Sequence, residues 1–123
     1  SFMFTQTLSL ATIRFNNVVD TSSVTDLSNA FGFCSNLTTL DLSGWDTSNV
    51  TNMRWMFRYC SALQTIYVGE SWSTAKVTDS TNMFAGCTQL TGGNGTKYSS
   101  SYTDKTYARV DNTGAPGYFT LKN

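Results

Sequence analysis

Histidine is absent from all 123 residues. That one absence removes imidazole general bases, Ser–His and Cys–His pairs, and histidine metal ligands. Charge is scarce too. Eight Lys or Arg stand against eight Asp or Glu, together 13% of the chain, for a formal net charge of zero. So sparse and balanced a set leaves no basic footprint for a phosphate backbone or an anionic lipid surface. Neither nucleic acid nor membrane is therefore expected as a partner. No apolar run approaches the ~18 residues of a membrane span, which argues against direct insertion. The chain opens without an initiator Met or a charged and then apolar leader, as a mature protein or an excised piece would. Three cysteines, an odd count, fit poorly with a disulfide framework.

What fills the chain instead is Ser, Thr and Asn, 45 residues in all. Hydroxyls and amides rather than ions wet such a surface, a bias often met in extracellular bacterial proteins. Apolar residues at 40% and aromatics at 14% are ample for a packed core.

The sequence repeats itself. Residues 20–45 (DTSSVTDLSNAFGFCSNLTTLDLSGW), 46–72 (DTSNVTNMRWMFRYCSALQTIYVGESW) and 73–91 (STAKVTDSTNMFAGCTQLT) align at offsets of 26 and then 27. Val24, Val50 and Val77 share one column; Phe31, Phe57 and Phe84 share the next; Cys34, Cys60 and Cys87, then Leu37, Leu63 and Leu90, follow. A partial copy, with Phe4 in the Phe column, occupies residues 1–19.

Two periodicities alternate within a unit. Met53, Met56, Phe57, Cys60 and Leu63 recur at the spacing of a short amphipathic helix, with a Thr ahead of it as N-cap. Leu63, Ile66 and Val68 then read as L-x-x-I-x-V, ending in a strand with one buried face. One strand and one helix per coil is the leucine-rich-repeat pattern. Strands stack ~4.8 Å apart whereas helices need 8–10 Å, so such a stack curves. The expected fold is thus an α/β leucine-rich-repeat solenoid, with parallel strands on the concave side and short helices on the convex side. The coils would occupy residues 1–91, and 92–123 would form a C-terminal cap. In that cap, strand-like 106–110 and 118–121 flank the turn-rich 111–117 (DNTGAPG) and predict a β-hairpin over the last coil.

The strings LTTLDLSGWDTSNVTNM, MFRYC and NMFAGC resemble the 26-residue repeats of BspA-type leucine-rich bacterial surface proteins, and YTDKTYARVDNTGAPGYFTLK is similar to the segment that often closes them. The resemblance covers nearly the whole chain. It implies a secreted or surface-anchored bacterial protein that adheres to host or matrix proteins, with no catalytic residues to carry over. The chain departs from it where Ser80 replaces the apolar residue at Leu27 and Met53, and where the last strand gives way to glycines.

The candidate chemistry is that of binding. The cysteine column reads as buried thiols acting as small hydrophobes, and the Phe column as core. Trp45 and Trp72 form a stacked structural pair. No convergent carboxylate pair exists for hydrolysis, and no motif calls for a metal or a cofactor; an enzyme is not expected. The positions that vary between repeats carry the binding hypothesis. On the exposed strand face these are Thr12, Arg14, Thr39, Asp41, Thr65 and Tyr67. A second patch, on the helix side, is Arg54, Trp55, Arg58 and Tyr59. The expected function is non-catalytic adhesion to an extracellular protein through the strand face. The alternatives are a carbohydrate-binding module with Trp and Tyr platforms, and a spacer within a larger surface protein. An uncapped N-terminal edge would allow self-association.

Overall fold

The structure, a computed structural model, describes residues 12–14 and 22–122. Four short strands, β1 (Thr12–Arg14), β2 (Thr39–Leu42), β3 (Thr65–Val68) and β4 (Phe119–Leu121), form one parallel sheet in chain order. Register follows the repeat: Thr12 pairs with Thr39, and Thr39 with Thr65. Leu40, Leu42, Ile66 and Val68 point inward and are buried. The rest of the partial first coil, with Phe4 and the N-terminal edge, lies outside the described residues, as do residues 20 and 21 of the next unit.

The α/β leucine-rich-repeat solenoid with convex helices is overturned. Among the described residues there is no α-helix, and the one helical segment is a single 3-10 turn, Lys105–Tyr107. Where a helix is expected over 53–63, the backbone runs as linked turns. Every fourth residue takes positive φ: Asn29 and Phe33, then Trp55 and Tyr59, then Asn82 and Gly86. This twist divides the amide donors into two sets. Met56 N–H and Arg58 N–H bond back three residues, to Met53 and Trp55 carbonyls. Trp55, Phe57 and Tyr59 N–H groups instead bond to Thr81, Met83 and Ala85 carbonyls of the next coil. The same ladder links Leu27, Asn29, Phe31 and Phe33 to the coil of Asn52. The apolar side chains keep their spacing because turns of three and four residues return them to one side, as a helix would. With both flanks of each coil hydrogen-bonded to the next, no 8–10 Å helix packing forces the stack to curve.

The core lies between the two ladders. Phe31 stacks on Phe57 at 5.7 Å between ring centroids, and Phe57 on Phe84 at 5.4 Å. Cys60 Sγ donates to the Phe31 carbonyl at 3.0 Å and Cys87 Sγ to that of Phe57 at 2.9 Å, and all three cysteines are buried thiols. Polar turns begin each ladder rung. Asp26, Asn52 and Asp79 accept from the amides of Ser28, Arg54 and Thr81, closing Asx turns where helix starts were expected. Likewise Thr51 and Thr78 are not N-caps; their hydroxyls donate to the Thr25 and Thr51 carbonyls of the coil before.

The C-terminal hairpin is also overturned. Phe119–Leu121 pairs parallel to β3, and its bridge to Val110 is parallel as well. The third coil has glycines where its strand would stand, and β4 from the tail takes the vacant rung. Gly92 and Gly93 cross beside it; a Cβ on Gly92 would strike the Gly117 carbonyl. Asp111 fastens this crossing by accepting from the amides of Asn94, Thr96 and Gly117. Ser80 gains a purpose here: its Oγ accepts from Lys105 N–H, and Phe84 N–H bonds to Thr103, so the tail docks where the repeat lapses. Tyr118, fully buried, packs edge-on to Phe84 and donates its hydroxyl to the Tyr102 carbonyl.

Candidate functional site

The two candidate surfaces lie on opposite flanks of the coils. On the strand flank, parallel register sets Arg14 opposite Asp41 and Asp41 opposite Tyr67, with Thr12, Thr39 and Thr65 in the neighbouring file. Thr39, Thr65 and Tyr67 are half-buried. Asp41, expected on the exposed face, is only 4% exposed. The cause is the tail: continuing β4, the Lys122 amide bonds to the Val68 carbonyl, and Lys122 Nζ reaches Asp41 Oδ2 at 2.6 Å. The same ammonium lies 5.5 Å from the Tyr67 ring. Burial pushes the Asp41 carboxyl up, but hydrogen bonds from Lys122 and the Ser43 amide more than offset this and hold it below its ordinary value. The sequence offered no sign of this pairing, since the partners stand 81 positions apart.

On the turn flank the structure brings Arg54, Trp55, Arg58 and Tyr59 together and adds Phe33. Phe33 stacks on Tyr59 at 5.5 Å. The Arg58 guanidinium sits between the Phe33 and Trp55 rings, 4.6 and 4.2 Å from their centroids. Arg54 covers Trp55 at 4.1 Å. Arginine and aromatic groups thus interleave in one continuous pile across two coils. Phe33 is 44% exposed and Tyr59 53%, so the edge of the pile faces solvent. Phe33 was legible as a member: it stands 26 positions before Tyr59, in the same repeat column.

The backbone beneath this pile is unusual. Phe33, Trp55 and Tyr59 have φ of 64°, 59° and 59°. Bulky residues adopt this left-handed conformation at a cost of roughly 1–2 kcal/mol each. The equivalent sites in other coils hold residues suited to it, Asn29 and Asn82 for Trp55 and Gly86 for Tyr59. Gly86 is required twice over, by its φ of 82° and because a Cβ there would press into the Tyr59 ring.

Trp45 packs against Phe31 and Trp72 against Phe119 instead of forming the expected stacked pair, and neither offers a platform. Trp45 is fully buried, and Trp72 meets Phe119 edge-on while its Nε1–H donates to the Ala108 carbonyl. Among the described residues, no group of three or more acidic or cysteine side chains could hold a metal ion. Among the described residues no helix is long and apolar enough to cross a membrane.

Comparison with known families finds that the model described as "Mycoplasma protein of unknown function, DUF285" matches residues 1–111. No curated protein and no solved structure matches the chain.

Proposed function

The chain belongs to that Mycoplasma family of unknown function, and from this premise we propose that it is a non-catalytic binding module of a bacterial surface protein. It works outside the cell, as the BspA-type resemblance of its repeats implies, and adheres to a host or matrix protein. The observation that carries this reading is the arginine–aromatic pile. Trp55 occupies a backbone site that both neighbouring coils give to Asn, Tyr59 one that the next coil gives to Gly, and the Phe33 and Tyr59 edges of the pile remain in solvent. A local rule broken at a conformational cost, for rings left partly in solvent, marks a surface kept for something other than folding. Trp, Tyr and Arg are also the residue types that dominate protein–protein hot spots.

The strand face has weaker support as the docking surface, because Lys122 already engages its one buried acid. The carbohydrate reading has weaker support again. Sugar platforms need open ring faces, and here the Trp55 ring carries two guanidinium groups while Phe33 carries a guanidinium and a tyrosine ring. Binding to immobilised fibronectin and collagen tests the proposal. The double variant Trp55→Asn, Tyr59→Gly abolishes adhesion while Thr39→Ala, Thr65→Ala retains it. The opposite pattern transfers the function to the strand face, and a chain that binds neither matrix protein nor any glycan is a spacer.

A further inference from the structure

Resting on the turn flank being the binding face, we propose that the pile receives an acidic segment of its protein partner. Arg58 and Arg54 take the carboxylates, and the edges of Phe33 and Tyr59 take an apolar side chain beside them.

Two guanidinium groups set the charge at the centre of this surface. Arg54 and Arg58 stand where the flanking coils carry Ser28 and Thr81, and Gly32 and Ala85. None of these equivalents is acidic. Asp79, at the foot of the third coil, feels the Arg54 charge, but neither guanidinium forms a hydrogen bond or ion pair among the described residues. Arg58 Nε is buried and meets no acceptor. The Arg58 guanidinium lies over two rings, its carbon 4.6 Å from the Phe33 centroid and 4.2 Å from that of Trp55. Its faces are used by cation–π contact and its outer N–H groups are left for a planar acceptor. Carboxylates match that fork two bonds at a time.

The aromatic edges decide between anions of different origin. A sulfated polysaccharide would satisfy the guanidinium groups and leave Phe33 and Tyr59, each about half exposed, with nothing to cover them. An acidic peptide with an aromatic or aliphatic neighbour satisfies both, in the arrangement of an apolar hot spot beside a charged rim.

The test is calorimetric titration of the full chain with three probes: a synthetic peptide alternating Glu and Phe, the same peptide with Gln for Glu, and heparin. The Glu peptide binds saturably, more weakly as salt rises, and the Gln peptide binds at least about tenfold more weakly because the charge-assisted bonds are lost. Arg58→Lys, which keeps the charge but removes the fork and the stacking, weakens the Glu peptide by about tenfold. Equal binding of Glu and Gln peptides, abolished by Trp55→Asn, would overturn the acidic partner yet leave the turn flank as the docking face. Binding of heparin but neither peptide would overturn it in favour of a sulfated glycan. No binding of any probe would overturn both this inference and the proposed face.

Discussion

The two flanks of each coil obey one stacking rule and use it in opposite ways. On the strand flank the side chains repeat in kind, Leu40 over Ile66 and Leu42 over Val68, and they are fully buried. On the turn flank the same one-strand spacing carries Asn29, Trp55 and Asn82 in a single file. The first file is held constant because a change of volume in a close-packed stack is transmitted to its neighbours. The second varies in kind and in burial, from buried Asn29 through half-buried Trp55 to exposed Asn82. The constant core and the proposed binding surface are therefore separated by direction within each coil, rather than assigned to different parts of the chain.

The contrast would be broken most forcefully at the centre of the core. Phe57→Ala removes a ring stacked on both sides and is expected to cost about 3–5 kcal/mol, read by urea denaturation; a loss under about 1 kcal/mol would show the Phe file to be incidental. Next comes Gly69→Ala. Its Cβ would fall on the Ser43 carbonyl oxygen of the adjacent coil, and backbone cannot yield as a side chain does. A loss of about 1–3 kcal/mol is expected, measured as a fall in Tm.

Asp41→Asn is expected to cost about 1–2 kcal/mol at neutral pH, a range set by one charged hydrogen bond with a partly exposed partner. Its pH dependence sharpens the point. Because the folded carboxyl titrates below its unfolded value, its contribution is complete above the ordinary carboxylate range and is lost as pH falls through the folded pKa. Wild type and variant should therefore converge in acid, and a gap that persists there would assign the loss to packing. The smallest effect belongs to the turn flank. Trp55→Asn restores the residue type of the neighbouring coils, and its stability should lie between unchanged and about 1 kcal/mol higher. A clear loss would make the pile part of the scaffold.

Much of this was legible beforehand. Columns 26 and 27 apart placed Phe31, Phe57 and Phe84 in one row, Leu40 and Ile66 in one sheet, and the cysteines in the interior. The repeat pattern also places Arg54, Trp55, Arg58 and Tyr59 in one patch, and in the structure Arg54 and Arg58 meet on the Trp55 ring. The helix was misread because Met53, Met56, Phe57 and Cys60 have the same spacing in a chain of tight turns as in a helix. The discriminating feature, positive φ at Trp55 and Tyr59, is hidden when those sites hold aromatic residues in place of Asn or Gly. The hairpin was misread because turn-rich 111–117 announces a reversal but not which strand comes next to 118–121.

The sequence by itself determined what stacks on what: a periodic chain that cannot bury one coil alone must bury it against the next, and the period names the neighbours. Only the tertiary structure decided how each coil closes, which segment takes the rung that the third coil leaves vacant, and that Lys122 reaches across to Asp41. Those outcomes depend on amides and carboxylates meeting partners a whole coil or more away, and a pattern read along the chain records spacing but not the direction in which a donor points.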